Sequence, residues 1–162
     1  MSWFRSTFYC LVAVALIQVA YYYPRMPEVV ASHFDGLGAP NDWSSRNFFF
    51  GLYLAIVTML IAVFEFLPRW SGSRSRFGMK IPNRDYWLAP QRAEQTRGFF
   101  RRQMYLMGIA HLMLTIYVIQ LAILANFFPQ PRLHPGISWA LALYFIFLGG
   151  WLIHFYLHFR KP

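Results

Sequence analysis

Four apolar runs decide what this chain can fold into, because each has the roughly 20 residues that a helix needs to cross a bilayer core of about 30 Å. The first is Phe8 to Tyr23, with Trp3 and Phe4 ahead of it. The second is Asn47 to Leu67, closed by Pro68. The third is Met104 to Phe128, closed by Pro129 and Pro131. The fourth is Ile137 to Phe159, closed by Arg160 and Lys161. A spanning strand would be about 9–11 residues and would alternate polar with apolar, which these runs do not. Charged residues make up 13% of the chain, against about 25% in a soluble domain, so most of this surface meets something other than water. The expected fold is all-α: an integral membrane four-helix bundle in one domain, residues 1–162, with spans at about 4–23, 47–67, 104–128 and 137–159.

A cleaved signal peptide competes with a retained first span. Only Arg5 precedes the run and no small-x-small cleavage site follows it, so a retained span is expected. Tyr21, Tyr22 and Tyr23 read as an aromatic belt at the far interface. The single Cys10 excludes an intrachain disulfide and a cysteine zinc cluster.

Orientation follows from Lys and Arg. Between the second and third runs lie Arg69, Arg74, Arg76, Lys80, Arg84, Arg92, Arg97, Arg101 and Arg102, whereas the first loop holds Arg25 and Arg46 and the last holds Arg132. The positive-inside rule then puts both termini and the basic middle loop in the cytoplasm of an inner-membrane, multi-pass protein. Such basic residues, packed between apolar runs, fit anionic lipid and not nucleic acid. WSGSRSRFG is expected to be flexible. MKIPNRDYWLAP is expected at the headgroup layer, and QRAEQTRGFFRRQM as a helical lead-in to the third span. Pro90 suits a first helical turn there.

The first loop, Tyr23 to Arg46, is the distinctive stretch. It carries Pro24, Pro27, Pro40, Gly36 and Gly38, so it is no continuous helix. It also holds Glu28, Asp35 and Asp42, half of the chain's six acidic residues. The expectation is a compact outer cap, with VVASHF docking, GLGAP turning, and Asn41–Asp42 capping the second helix before Trp43. If the stretch is extended, His33 and Asp35 share a side. They would then form a ligand-contacting or pH-sensitive pair with Trp43 beside them. A purely structural loop histidine is the plainer reading.

Pro27, His33-Phe34, Gly38 and Pro40, in the order P-x5-HF-x3-G-x-P after a first span, resemble the motif of the bacterial domain-of-unknown-function 1648 family. That module also forms the N-terminal part of SdpI-like immunity proteins. IPNRDYWLAPQR and the four-span layout are similar to small stand-alone members. Asp35 stands where Asn is common and Arg46 where Lys is common. The further C-terminal spans of full immunity proteins do not follow here. The resemblance implies a membrane protein of unassigned activity.

Within the apolar runs, Glu65, His111, His154 and His158 are expected to share one layer. His154 and His158 lie on one helix face. Intramembrane ionisable residues are functional candidates. These could bind metal or haem, with His111 and His154 as axial ligands, or pass protons. Snorkelling and interhelical hydrogen bonding are the plainer roles. Gly149 and Gly150 are read as ordinary span glycines. No phosphate loop, Ser-His-Asp arrangement or zinc-peptidase motif is present, so no catalytic residue, metal ligand or cofactor is assigned. The leading reading is a non-enzymatic membrane protein that binds or senses through its outer loop. Its partners are the lipid bilayer and a membrane protein or peptide. A small carrier or redox subunit and a structural accessory subunit stand behind it.

Overall fold

A computed structural model describes residues 2–66 and 81–160. Helix α1 (Ser2–Tyr22) ends in a short 3-10 turn, Tyr23–Arg25. Strands β1 (Val29–Phe34) and β2 (Pro40–Ser45) follow, then α2 (Arg46–Ile61), which closes in a π-helical turn at Ala62–Phe66. A one-turn helix, α3 (Arg84–Trp87), precedes α4 (Ala93–Ala125) and α5 (Gly136–Arg160). Four of these helices are long and apolar enough to cross a membrane. The lead-in and third span are one helix of 33 residues, about 50 Å at 1.5 Å per residue, so α4 outruns the bilayer core on its basic side. The WSGSRSRFG stretch lies outside the described residues.

The bundle is uneven. Phe8, Val12 and Ala15 of α1 meet Phe50, Tyr53 and Val57 of α2, and Tyr105, Met107 and Leu112 of α4, in one buried cluster. Helix α5 touches α4 and buries only Phe159. Gly108 sets the close approach of the first three. A Cβ there would lie 2.8 Å from Phe8 Cε2 and 2.9 Å from Phe64 Cγ. Apolar side chains gain little by leaving lipid for each other, so close contact and interhelical hydrogen bonds hold such a bundle. An amide chain supplies the bonds. Tyr53 Oη donates to Gln18 Oε1 at 2.7 Å, Gln18 Nε2 to Gln120 Oε1 at 2.8 Å, and Gln120 Nε2 to the Tyr22 hydroxyl at 2.9 Å.

At the end of the bundle away from the hairpin, α3 caps α5. Asn83 Nδ2 donates to the Arg160 carbonyl at 2.8 Å, and Trp87 Nε1 to that of Phe159 at 3.2 Å. Both meet carbonyls that a helix end leaves unpaired. Gly149 and Gly150 have nothing within 4 Å of an added Cβ, so no close helix contact depends on them.

Candidate functional site

The Pro/Gly-rich loop is an antiparallel β-hairpin. Its tip is built by Asp35, whose Oδ1 accepts from the N–H of Leu37 at 2.8 Å and of Ala39 at 2.9 Å. Gly38 has φ +81°, which favours glycine, and a Cβ there would sit 2.7 Å from the Leu133 carbonyl oxygen. The Leu133 N–H donates to the Gly38 carbonyl at 2.9 Å. The tip is therefore tied to the α4–α5 connection.

Asn126 ties down the other side of the hairpin. Its Oδ1 accepts from the Ala31 N–H at 2.7 Å, and its Nδ2 donates to the carbonyls of Ala31 at 3.0 Å and Ala122 at 2.9 Å. The side-chain amide thus pairs with β1 as a neighbouring strand would. That explains how consecutive residues Val30 and Ala31 are both buried: Val30 enters the helix core and Ala31 meets Asn126. The base is held by Arg46, whose Nη1 donates to the Met26 carbonyl at 2.8 Å while its guanidinium lies 4.8 Å from the Tyr23 ring centroid.

Several expected arrangements change. His33 and Asp35 do not pair, because β1 ends at Phe34 and Asp35 spends its carboxylate on the turn. Exposed His33 donates from Nδ1 to Asn41 Oδ1 at 2.6 Å. Asn41 and Asp42 lie within β2 and do not cap α2. Ser45 does, accepting from the Phe48 N–H at 3.2 Å. Trp43 is half exposed and pairs with Ala31 across the ladder. Pro27 precedes β1, and Pro40 opens β2 opposite Phe34. Pro40 thus sits at a strand start, where proline is tolerated.

The intramembrane residues do not form one layer. Glu65, 2% exposed, meets Arg5 Nη2 at 3.3 Å and accepts from the Tyr105 hydroxyl at 2.5 Å. His111 donates from Nδ1 to the Met107 carbonyl at 2.9 Å and accepts at Nε2 from the Tyr144 hydroxyl at 2.8 Å. His158 stacks on Phe99, with centroids 3.8 Å apart, and on Trp87 at 5.1 Å; His154 lies 6.2 Å from Phe99. In the antiparallel α4–α5 pair, Tyr144 marks the level of His111. His154 is ten residues further along α5, roughly 15 Å away, so the structure does not bring these two histidines to one site. Among the described residues no group of three or more His, Cys, Asp or Glu is placed to hold a metal ion.

The structure does bring together the hairpin tip, the C-terminal end of α4, the 126–135 connection and the start of α5. They enclose a half-open groove of about 990 Å³. Phe34, Leu37, Leu121, Phe128 and Leu141 give it apolar walls, while Asp35, Arg132 and His134 supply charge and hydrogen bonding. The Gly136 N–H donates to His134 Nδ1 at 3.0 Å, which leaves Nε2 to carry the neutral ring's proton. Of the expected loop motif, Phe34, Asp35 and Gly38 border the groove. From the sequence, Arg132 counts only toward orientation, and His134 and Asn126 do not stand out. For Asn126 the available signal was an amide inside an apolar run, which must find a partner.

No curated protein and no solved structure matches this chain. Residues 10–60 match the family model described as Domain of unknown function (DUF1648). The segment made of most of α1, the hairpin and most of α2 therefore belongs to the domain-of-unknown-function 1648 family.

Proposed function

We propose that this chain is a non-enzymatic inner-membrane protein that binds a small amphipathic ligand in its outer groove, with both termini in the cytoplasm. The observation that carries the reading is the groove itself. A built hairpin, pinned by Asn126 and by the Gly38–Leu133 contact, walls off an apolar hollow with a cation and a histidine at its edge. Ligand sites have this character: mostly apolar lining with a few placed polar groups. The amphipathic class follows from an apolar interior and a polar edge at a membrane surface. A role like that of the membrane module in SdpI-like immunity proteins fits a site on the outer face, where an attacking or signalling molecule arrives. The runner-up, a proton or electron carrier through Glu65, His111, His154 and His158, is weaker, since His111 sits at a different level from the His154–His158 pair and Glu65 is engaged by Arg5 and Tyr105.

Thiol protection tests the reading. In a Cys10→Ser background, the Ser138→Cys variant places its thiol in the groove, and Trp43→Cys places one on the hairpin outside it. In native membranes, maleimide should label the Ser138→Cys variant several-fold more slowly than after the protein is stripped of lipid and small amphiphiles. The Trp43→Cys variant should label alike in both. Equal rates for Ser138→Cys in the two states would mean that nothing occupies the groove.

A further inference from the structure

The outer groove does not end at the connection. A second hollow of about 280 Å³ runs down the α4–α5 seam, lined by Ala110, Met113, Ala140, Leu143, Tyr144 and Phe147 among others, and almost wholly apolar. Tyr117 lines both hollows, so they adjoin. The lower hollow is bounded by Tyr144, whose hydroxyl donates to His111. Small residues open it: Ala110 on α4 and Ala140 on α5 stand where larger side chains would fill the seam. From Leu124 in the groove to Ala110 is fourteen residues of α4, about 21 Å at 1.5 Å per residue. One leaflet of hydrocarbon is about 15 Å deep, half of the roughly 30 Å core. The combined hollow therefore starts at a headgroup level and reaches about one leaflet deep.

Charge is distributed along it in the same sense. The lower hollow has no ionisable group in its lining apart from the tyrosine hydroxyls. The upper end has Asp35, whose Oδ1 accepts from two N–H groups of the hairpin turn, Arg132, exposed and without a hydrogen bond or ion pair among the described residues, and His134 with a proton on Nε2. A guanidinium fork and an imidazole N–H are donors suited to a phosphate group.

Resting on the groove reading above, we propose that the α4–α5 seam binds one phospholipid of the outer leaflet. One acyl chain lies in the seam past Tyr117, and the phosphate is held at Arg132 and His134. A peptide would need hydrogen-bond partners for its backbone, and the lower hollow offers almost none. An acyl chain needs none.

The full chain, purified in mild detergent and stripped of lipid, is titrated with phosphatidylglycerol and read by native mass spectrometry. Wild type should retain one lipid, as should the Leu157→Trp control on an exposed position of α5. Ala140→Trp and the milder Ala110→Leu should weaken retention at least tenfold. Arg132→Glu should weaken it severalfold with thermal unfolding unchanged. Inorganic phosphate at the same concentration should not displace the lipid. Retention unchanged in both seam variants, or equal displacement by inorganic phosphate, overturns the lipid assignment. If that happens while the Ser138→Cys variant is still protected, the groove has another occupant, such as a peptide. If protection is absent as well, both readings fall.

Discussion

Asn126 and His33 show how differently two polar residues at the hairpin end of the bundle can matter. Asn126 is buried and makes three hydrogen bonds, two of them to the backbone of buried Ala31. Asn126→Leu keeps the volume but leaves the Ala31 N–H and carbonyl without partners. An unmade bond to a buried group costs about 1–3 kcal/mol, so the detergent unfolding midpoint should drop clearly. Protease cutting within the hairpin should rise with it. His33 is exposed and bonds only Asn41 among the described residues. His33→Ala should change stability by no more than about 0.5 kcal/mol, as surface substitutions usually do. A collapse of folded yield in that variant would make His33 structural.

At the level of elements, the helices are held by where they come close. Gly108 lets α4 approach Phe8 of α1 and Phe64 of the turn that closes α2, and any side chain there meets both rings below 3 Å. Gly108→Val should cost about 1–3 kcal/mol, the usual range for overpacking, and lower the yield of folded protein. Gly149→Ala and Gly150→Ala meet open space and should leave thermal unfolding unchanged. The three variants, melted side by side, separate close packing from a general intolerance of change at span glycines. The amide chain through Gln18 and Gln120 adds cross-links among α1, α2 and α4. In a membrane such bonds are worth roughly 0.6 kcal/mol each on average, so they orient the helices more than they stabilise them.

For the whole molecule, the hairpin and the described basic residues Arg84, Arg92, Arg97, Arg101 and Arg102 lie at opposite ends of the bundle. Leu37 at the hairpin tip is 81% exposed. A Leu37→Cys variant in the Cys10→Ser background should react with a membrane-impermeant thiol reagent added outside intact cells. A reporter fused after Arg76 should read as cytoplasmic. The reverse pair of results would invert the orientation drawn from Lys and Arg. Along its length helix α5 rests on α4, with α3 at its C-terminal end, and it leaves Trp139, Ile146 and Ile153 exposed. In a bilayer this is a lipid-facing helix, and its one-sided seat is what leaves the seam beside α4 partly open.

The number and approximate limits of the spans were legible in the sequence because length and apolarity are local properties. The four runs became Trp3–Arg25, Arg46–Phe66, Ala93–Ala125 and Gly136–Arg160. The turn at Gly38 was legible for the same reason, since Gly and Pro punctuate a chain wherever they occur. Strand pairing was not, because VVASHF and PNDWSS become a hairpin through each other and through Asn126, 95 residues from Ala31. His33 and Asp35, adjacent in any strand pattern, were separated by a turn that uses the carboxylate. The histidines of α4 and α5 looked like one layer until the antiparallel register set them at different levels. The groove drew its walls from two distant stretches of chain, 34–38 and 117–141. A helix can be read from its own residues; a cavity between elements depends on how far apart packing holds them, and that distance is set by contacts such as Gly108 with Phe8 and Gly38 with Leu133.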